Sequence, residues 1–592
     1  MLRSVLSLAL LATAAPIAAP ALAQKAKPAP AAAAQAAPDV AARNAAANAP
    51  LPADQAAMKA HVLFLASDAM RGREAGSPEY DIAARYVASQ FYAAGLRPAG
   101  DQGSYLQKVP LLSYKAADKG GAAIGGDPLV FGEDYIPGAN PANPTLVVDA
   151  PVVYVGYGLV APSVGRDDYA AADVKGKIVA VVPGTPDGLN GEERAHFGSP
   201  ATKAAIAMAH GAVGIVVLET PEAAKGQPFA KLAENWDRPR VTWAGRNGVA
   251  HVPAPSTPAL GMLSQAAATK LFAGASTSWE QAAAALTGTT PFEAIELAKN
   301  LSVRMTTTST PITSYNVAGM LPGSDPVVGK EVVVLTAHLD HVGVGEAVKG
   351  DTIYNGAMDN AVGIASLIEE AKRFQASGQP PKRSVLFLAV TAEEKGLVGS
   401  DYFANNPTVP KENLVADVNL DMPIITYKFT DVIAFGADRS TLGPIVRRAA
   451  AQAGASFSPD PMPEQGLFVR SDHYRFVQQG IPSVFLWPGE AGAGKEAVEK
   501  FFAEHYHQPS DEVVQDPAID WESGSRFIQV NYQIARDIAD APERPMWNRG
   551  DFFGTLYGGI GAVEQVEPAA EPEAKAKGKT KSGRKLRHSV TK

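Results

Sequence analysis

Five residues of this 592-residue chain are of the types that hold metal ions, and most follow directly on an apolar run: His338, Asp359, Glu394, Asp421 and His507. VVVLTA runs into His338, SVLFLAVTA into Glu393-Glu394 and LVADVNL into Asp421, while Asp359 sits in YNGAMDNAVG just before a helical pattern. Imidazoles and carboxylates are the donors of a hydrolytic zinc pair. Such a pair also needs one carboxylate shared by both ions, an open position for water and a free carboxylate to take the water's proton. Asp359 suits the shared position, since Gly356 and Gly363 flank it and permit close backbone approach. Glu394 and His507 would then complete one ion, and His338 and Asp421 the other. Glu393, facing away from its neighbour, is the expected general base. Asp340, two residues after His338, is expected to fix the imidazole tautomer from behind. Without cysteine the strong donors are His, Asp and Glu alone, a set that also accepts manganese or cobalt.

Each signal is weak alone. A Glu-Glu pair is usually solvated surface, a His-x-Asp after a strand is usually a capped turn, and an Asp before a helix is by default an N-cap. Their coincidence on successive strand ends is what selects a metal centre.

The elements that must carry these residues are apolar strands alternating with helices from about residue 300 onward, with helical patterns over 361–374, 400–403 and 442–453. Uninterrupted apolar strands separated by helices predict an α/β fold, a mostly parallel central sheet with helices on both faces, in which ligands gather at the carboxyl ends of the strands. Residues 55–96 predict two helices broken by DAMRGREAGSPE, and Gly95 ends the second. Between 145 and 285 short strands, helices and glycine turns mix, as in a small α+β insert, and no charged groups there have ligand spacing.

The expected division is a signal peptide over 1–23, an Ala/Pro-rich linker over 24–50, a catalytic domain built from 51–144 and 286–548, an insert over 145–285, and a disordered tail over 549–592. The signal peptide rests on Arg3, an apolar stretch and the small-residue site Ala21-Leu22-Ala23, and predicts an exported protein, periplasmic or secreted. No other apolar run approaches a membrane span. A net charge of −8 argues against a nucleic-acid partner, although the end of the chain, from Ala574 to Lys592, carries eight Lys/Arg and no acid.

TAHLDH at 336–341, NGAMDNAVG at 355–363, TAEEKGLVGS at 391–400, NLDM at 419–422, RSDHYRF at 470–476 and YHQPSD at 506–511 together resemble the co-catalytic zinc peptidase family. That family includes bacterial leucyl-type aminopeptidases and glutamate carboxypeptidase II-like proteins. The resemblance implies the zinc exopeptidase (phosphorylase/hydrolase-like) fold, two zinc ions per chain and peptide substrates. It also implies a tyrosine hydroxyl at the oxyanion, and since Phe468 occupies one of the family's two places for it, Tyr506 is the expected residue. Ser471, Asp472 and His473 resemble the family's support for the site, and no G-x-S-x-G elbow makes Ser471 a nucleophile. VGYGLVAP, DDYAAADVKGKIVAVV and KAAIAMAHGAVGIVVL are similar to the protease-associated domain often inserted in this family.

Aminopeptidase action is the first expectation, because carboxylates near the metals can hold a free amine. Arg470 and Arg475 keep a carboxypeptidase or dipeptidase open as the alternative. Glutaminyl cyclisation by a one-zinc relative fits less well, because His338 supplies a second ion. A receptor-like binding protein that has lost its metals should lack ligands or base, and none is missing here.

Overall fold

The computed structural model describes residues 40–286 and 292–562. The signal peptide, much of the linker and the acidic-then-basic stretch beyond residue 562 lie outside the described residues. Within the expected extended linker, Val40–Ala47 is instead a helix, α1. Its sequence VAARNAAA is alanine-rich, and the high helix propensity of alanine outweighs the absence of large apolar groups. Ala53–Leu65 (α2) and Pro78–Ala93 (α3) are the two predicted helices. Pro78 opens α3 and the Ser77 side chain accepts from Tyr80 N at 3.0 Å, a standard N-terminal cap.

Two sheets share one strand. The insert has four parallel strands, Thr145–Tyr154 (β2), Ile178–Val181 (β3), Gly214–Leu218 (β4) and Ala259–Leu263 (β5), preceded in the chain by Leu106–Ala116 (β1) of the other sheet. The strand Ile295–Leu321 (β6) is 27 residues long. Its first part, from Ile295 to Thr306, pairs antiparallel with β2, and its second, from Thr307 to Val317, pairs antiparallel with β1. Gly121–Ile124 and Tyr135–Pro137 also pair into the insert sheet. The insert therefore draws in residues on both sides of the 145 and 285 boundaries read from the sequence. Nothing local marks the change of sheet, because β6 stays extended throughout.

The larger sheet continues with Val332–His338 (β7), Ser384–Val390 (β8), Leu414–Leu420 (β9), Asp431–Phe435 (β10) and Ser483–Pro488 (β11). β8, β7, β9 and β11 are neighbours in that order and parallel, with antiparallel β6 beside β8 and antiparallel β10 beside β11. Every residue of β7, β8 and β9 is buried, as expected for strands covered on both faces. Val333, Leu335, Val385 and Phe387 face the cluster formed with α2, α3, Val362–Ala376 (α4) and Trp521–Asp540 (α5), whereas Val332, Val334, Leu386 and Leu388 face Phe403 and Phe476 on the other side.

Residues 549–562, expected as the start of the tail, fold back onto this domain. Trp547 N donates to Ile560 O at 2.8 Å, Trp547 Nε1 donates to Gly480 O at 2.7 Å, and Phe553 and Ala562 are fully buried. The acidic, Ala/Pro-rich composition that suggested disorder begins only beyond them. Among the described residues no helix is long and apolar enough to cross a membrane.

Candidate metal centre

His338 is the last residue of β7, Asp421 follows the last residue of β9, and Glu393-Glu394 lie just past the end of β8. Parallel order brings these ends to one rim. The turns leaving the strands are tight: Ala392, just before the Glu pair, has φ +55°, Met422, just after Asp421, has φ +46°, and His507 itself has φ +52°. Non-glycine residues rarely occupy that left-handed region, and they cluster where a site needs its backbone held in place.

Asp359 joins two groups. Its Oδ1 lies 3.2 Å from His338 Nε2, which is 2.9 Å from Asp421 Oδ1. Its Oδ2 lies 3.3 Å from His507 Nε2, which is 3.1 Å from Glu394 Oε2. The five residues read from the sequence as ligands thus stand together, with each oxygen of Asp359 turned toward a different pair. Burial works against ionising Asp359, but His338 and His507 outweigh it and hold the carboxyl well below its usual range.

The loops are stapled from behind. Asp511 accepts from Met358 N at 2.8 Å and Asp359 N at 3.0 Å. Asn360 donates to Leu420 O at 2.9 Å and accepts from Met422 N at 3.1 Å, which ties the Asp359 loop to the Asp421 strand. Ser471 Oγ donates to Asp421 Oδ2 at 2.5 Å and accepts from Asn419 Nδ2 at 2.7 Å, and Asp472 accepts from Ser400 Oγ at 2.6 Å. Arg73, buried, donates to Leu339 O at 3.0 Å, Asn355 O at 2.5 Å and Gly356 O at 3.0 Å. Burial lowers Arg73 to about 10, so it remains a cation beneath the carboxylates. Arg73, Asn360 and Asp511 were not singled out from the sequence. Their partners lie far away along the chain, and no local pattern marks them.

Asp340 departs from expectation. Its backbone oxygen, not its carboxylate, faces His338 Nδ1, at 3.1 Å. The carboxylate instead accepts from Glu393 N at 3.1 Å and Glu394 N at 3.4 Å, so it shapes the turn that presents both glutamates and does not reach the reacting centre. Burial raises it to about 6. Arg475 likewise turns inward, donating to Gly396 O at 3.0 Å behind the same turn.

A pocket opens over the centre, lined among others by Asp359, Glu393, Asp421, Arg470, Tyr506 and His507, with Leu467, Trp487 and Phe502 as apolar walls. Glu393 reaches this pocket, and burial, opposed by His338 but joined by Asp421 and Glu394, pushes its carboxyl well above the usual range. Tyr506 stacks on His507 with ring centroids 4.0 Å apart, and burial raises its hydroxyl so that it stays protonated. Phe468 is fully buried against His473 and Phe553. The sequence reading also passed over His341, whose Nδ1 is 2.8 Å from Glu394 Oε1, although TAHLDH places it three residues after His338. Among the described residues, two groups of three have ligand atoms all within 4.8 Å of one another: His338, Asp359 and Asp421, and His341, Asp359 and Glu394.

Comparison with known proteins adds the family. Residues 316–535 match the model of peptidase family M28 and residues 148–269 match that of the PA domain. Leupeptin-inactivating enzyme 1 of Streptomyces exfoliatus is 30% identical over 230 residues, 36% of this chain and 47% of that protein. A probable leucine aminopeptidase 2 of Aspergillus oryzae is 28% identical over 191 residues, 31% of this chain and 35% of that protein. The chain thus spans less than half the length of either relative. The structure of an aminopeptidase from Aneurinibacillus sp. strain AM-1 aligns with 83% of this chain and 95% of that one, at 20% identity and a TM-score of 0.43. The family model covers every metal-facing residue named above and the PA model lies within the insert, so residues 316–535 are similar to peptidase family M28 and residues 148–269 to the PA domain.

Proposed function

We propose that this chain is an exported two-zinc aminopeptidase that releases N-terminal residues from peptides. The observation that carries the reading is the orientation of Asp359, one oxygen toward His338 and Asp421, the other toward His507 and Glu394. The donors fit divalent ions of the zinc class: imidazoles and carboxylates only, with Glu394 Oε1 buried and without a hydrogen bond. When bound, two such ions supply electrostatic polarisation of the scissile carbonyl and a water of lowered pKa. The chain's own residues do the rest. Glu393, on the pocket wall, takes the proton of the attacking water and returns it to the leaving amine. Tyr506 donates its phenolic hydrogen to the developing oxyanion. The carboxylates around the pocket hold the substrate's free α-ammonium, and the relatives named as aminopeptidases support this direction.

Arg470 favours a second reading, a dipeptidase or carboxypeptidase. It is exposed on the pocket wall, where it can meet a substrate carboxylate. The mature protein should be assayed on aminoacyl-p-nitroanilides and on N-blocked peptides, with and without chelator, beside Glu393→Gln. The expected result is cleavage of free-amine substrates only, abolished by chelator and reduced at least about 100-fold in the variant with metal content retained. Cleavage of blocked peptides from a free carboxyl end would reverse the direction. Export predicts that the mature protein recovered from outside the cytoplasm begins at Gln24, which N-terminal sequencing reads directly.

A further inference from the structure

His341 is fully buried, and neither of its ring nitrogens forms a hydrogen bond. Its Nδ1 lies 2.8 Å from Glu394 Oε1 and 3.9 Å from Asp359 Oδ2. Glu394 Oε1 is itself buried and without a hydrogen bond, so the two atoms are close but do not satisfy each other. Buried polar atoms are rarely left without partners, and when several converge an ion is the simplest partner for all of them. Donors held about 2.1 Å from one tetrahedral zinc ion stand roughly 3.4 Å apart, and the 2.8 and 3.9 Å seen here lie on either side of that spacing. Gly356 closes one side of the ring. A Cβ on Gly356 would come within 2.5 Å of His341 Cγ, and Gly356 meets that ring only because it is a glycine at φ +61°. From the backbone side, His341 N donates to Arg73 O at 3.4 Å.

We propose that His341 is a metal donor, so that one ion is enclosed by four protein groups, His341, His507, Asp359 and Glu394, and the other is held by three, His338, Asp359 and Asp421. This rests on the metal reading above. Four protein donors close a tetrahedral zinc site, whereas three leave one position open. The asymmetry puts the open position on the His338–Asp421 side, and Asp421 lines the same pocket as Glu393.

Cobalt titration of the metal-free protein, followed by the visible absorption of the bound ion and by calorimetry, separates the two steps. His341→Gln should weaken one step by about 10-fold or more and change its spectrum, while the other step keeps its affinity and spectrum. His338→Gln should affect the opposite step. Two unchanged steps in His341→Gln would overturn the assignment. Zinc loading of the wild-type protein carrying ¹⁵N-histidine provides a measurement independent of any variant's folding. A shift of His341 Nδ1 supports the proposal, and a static His341 beside shifting His338 and His507 overturns it. Failure of the wild type to bind metal would remove this proposal and the proposed function together, whereas two bound ions with a silent His341 would leave that function standing.

Discussion

Glu393 and Glu394 are adjacent, yet they occupy different environments. Glu394 is buried and faces His507, where burial opposes ionisation but the imidazoles prevail and hold it far down, whereas Glu393 opens to the pocket and is pushed up. Two carboxylates whose surroundings drive them apart are suited to two roles, one ionised at a metal and one exchanging a proton. Tyr506 makes the clearest prediction at this scale. Its hydroxyl is kept protonated, and Phe468 can supply no substitute. Tyr506→Phe should lower kcat by about 100-fold while KM changes by less than about 3-fold, as expected for a donor used only in the transition state. A loss confined to KM in steady-state kinetics would instead make Tyr506 part of the substrate-binding wall.

At the scale of elements, a helix of the insert packs behind the pocket. Gly191–Gly198 packs against Pro463–Gln465 and Leu467–Val469, which lead into the pocket residues Leu467, Arg470 and Ser471. An added Cβ on Gly191 would collide with Pro463 O, and one on Gly466 would meet Ala195 at 2.7 Å. Glu192 pairs with Arg439, and His196 Nδ1 lies 2.7 Å from the Tyr474 hydroxyl. Burial lowers His196 from 6.5 to about 4. Between those values the unfolded chain binds a proton that the folded chain does not. Stability from this group is therefore complete above pH 6.5 and is lost as pH falls toward 4, by at most about 3 kcal/mol. His473, lowered to about 3 by burial, acts in the same direction. His196→Gln should flatten the fall of the thermal midpoint between pH 6.5 and 4 without abolishing it, and an unaltered slope in calorimetry would assign the acid sensitivity elsewhere.

For the molecule as a whole, residues 549–562 act as a clasp between the two domains. Phe552–Leu556 forms a short helix in which Phe552 meets Phe197 of the insert at 5.5 Å, while Phe553 packs on Phe468 at 5.5 Å and Tyr474 at 5.8 Å. Arg439 lies over Phe553 at 4.8 Å and pairs with Asp551 at 2.9 Å. Deleting a buried aromatic ring costs about 3–5 kcal/mol. Phe553→Ala should lower stability by that amount in denaturant unfolding. Because the ring touches Phe468 and Tyr474, either side of the support for Asp421, it should also weaken activity below the unfolding transition. Unchanged stability would show that residues 549–562 lie on the surface without bracing it.

The larger sheet and its candidate donor set were legible in the sequence for one physical reason. Strands buried on both faces must be apolar along their whole length, so the polar residues that end them stand out, and parallel order gathers those ends at one rim. Gly95 also marked the end of α3, although the start of α3 at Pro78 fell inside the stretch read as a loop. Only the tertiary structure decided which atoms meet. The opposed oxygens of Asp359, the use of Asp340's carboxylate by two backbone amides, the inward turn of Arg475 and the burial of His341 all depend on residues brought together from distant parts of the chain. The passage of β6 from one sheet into the other and the return of residues 549–562 onto the core are likewise non-local. Composition records that such segments can be buried, and the contacts that bury them come from the fold.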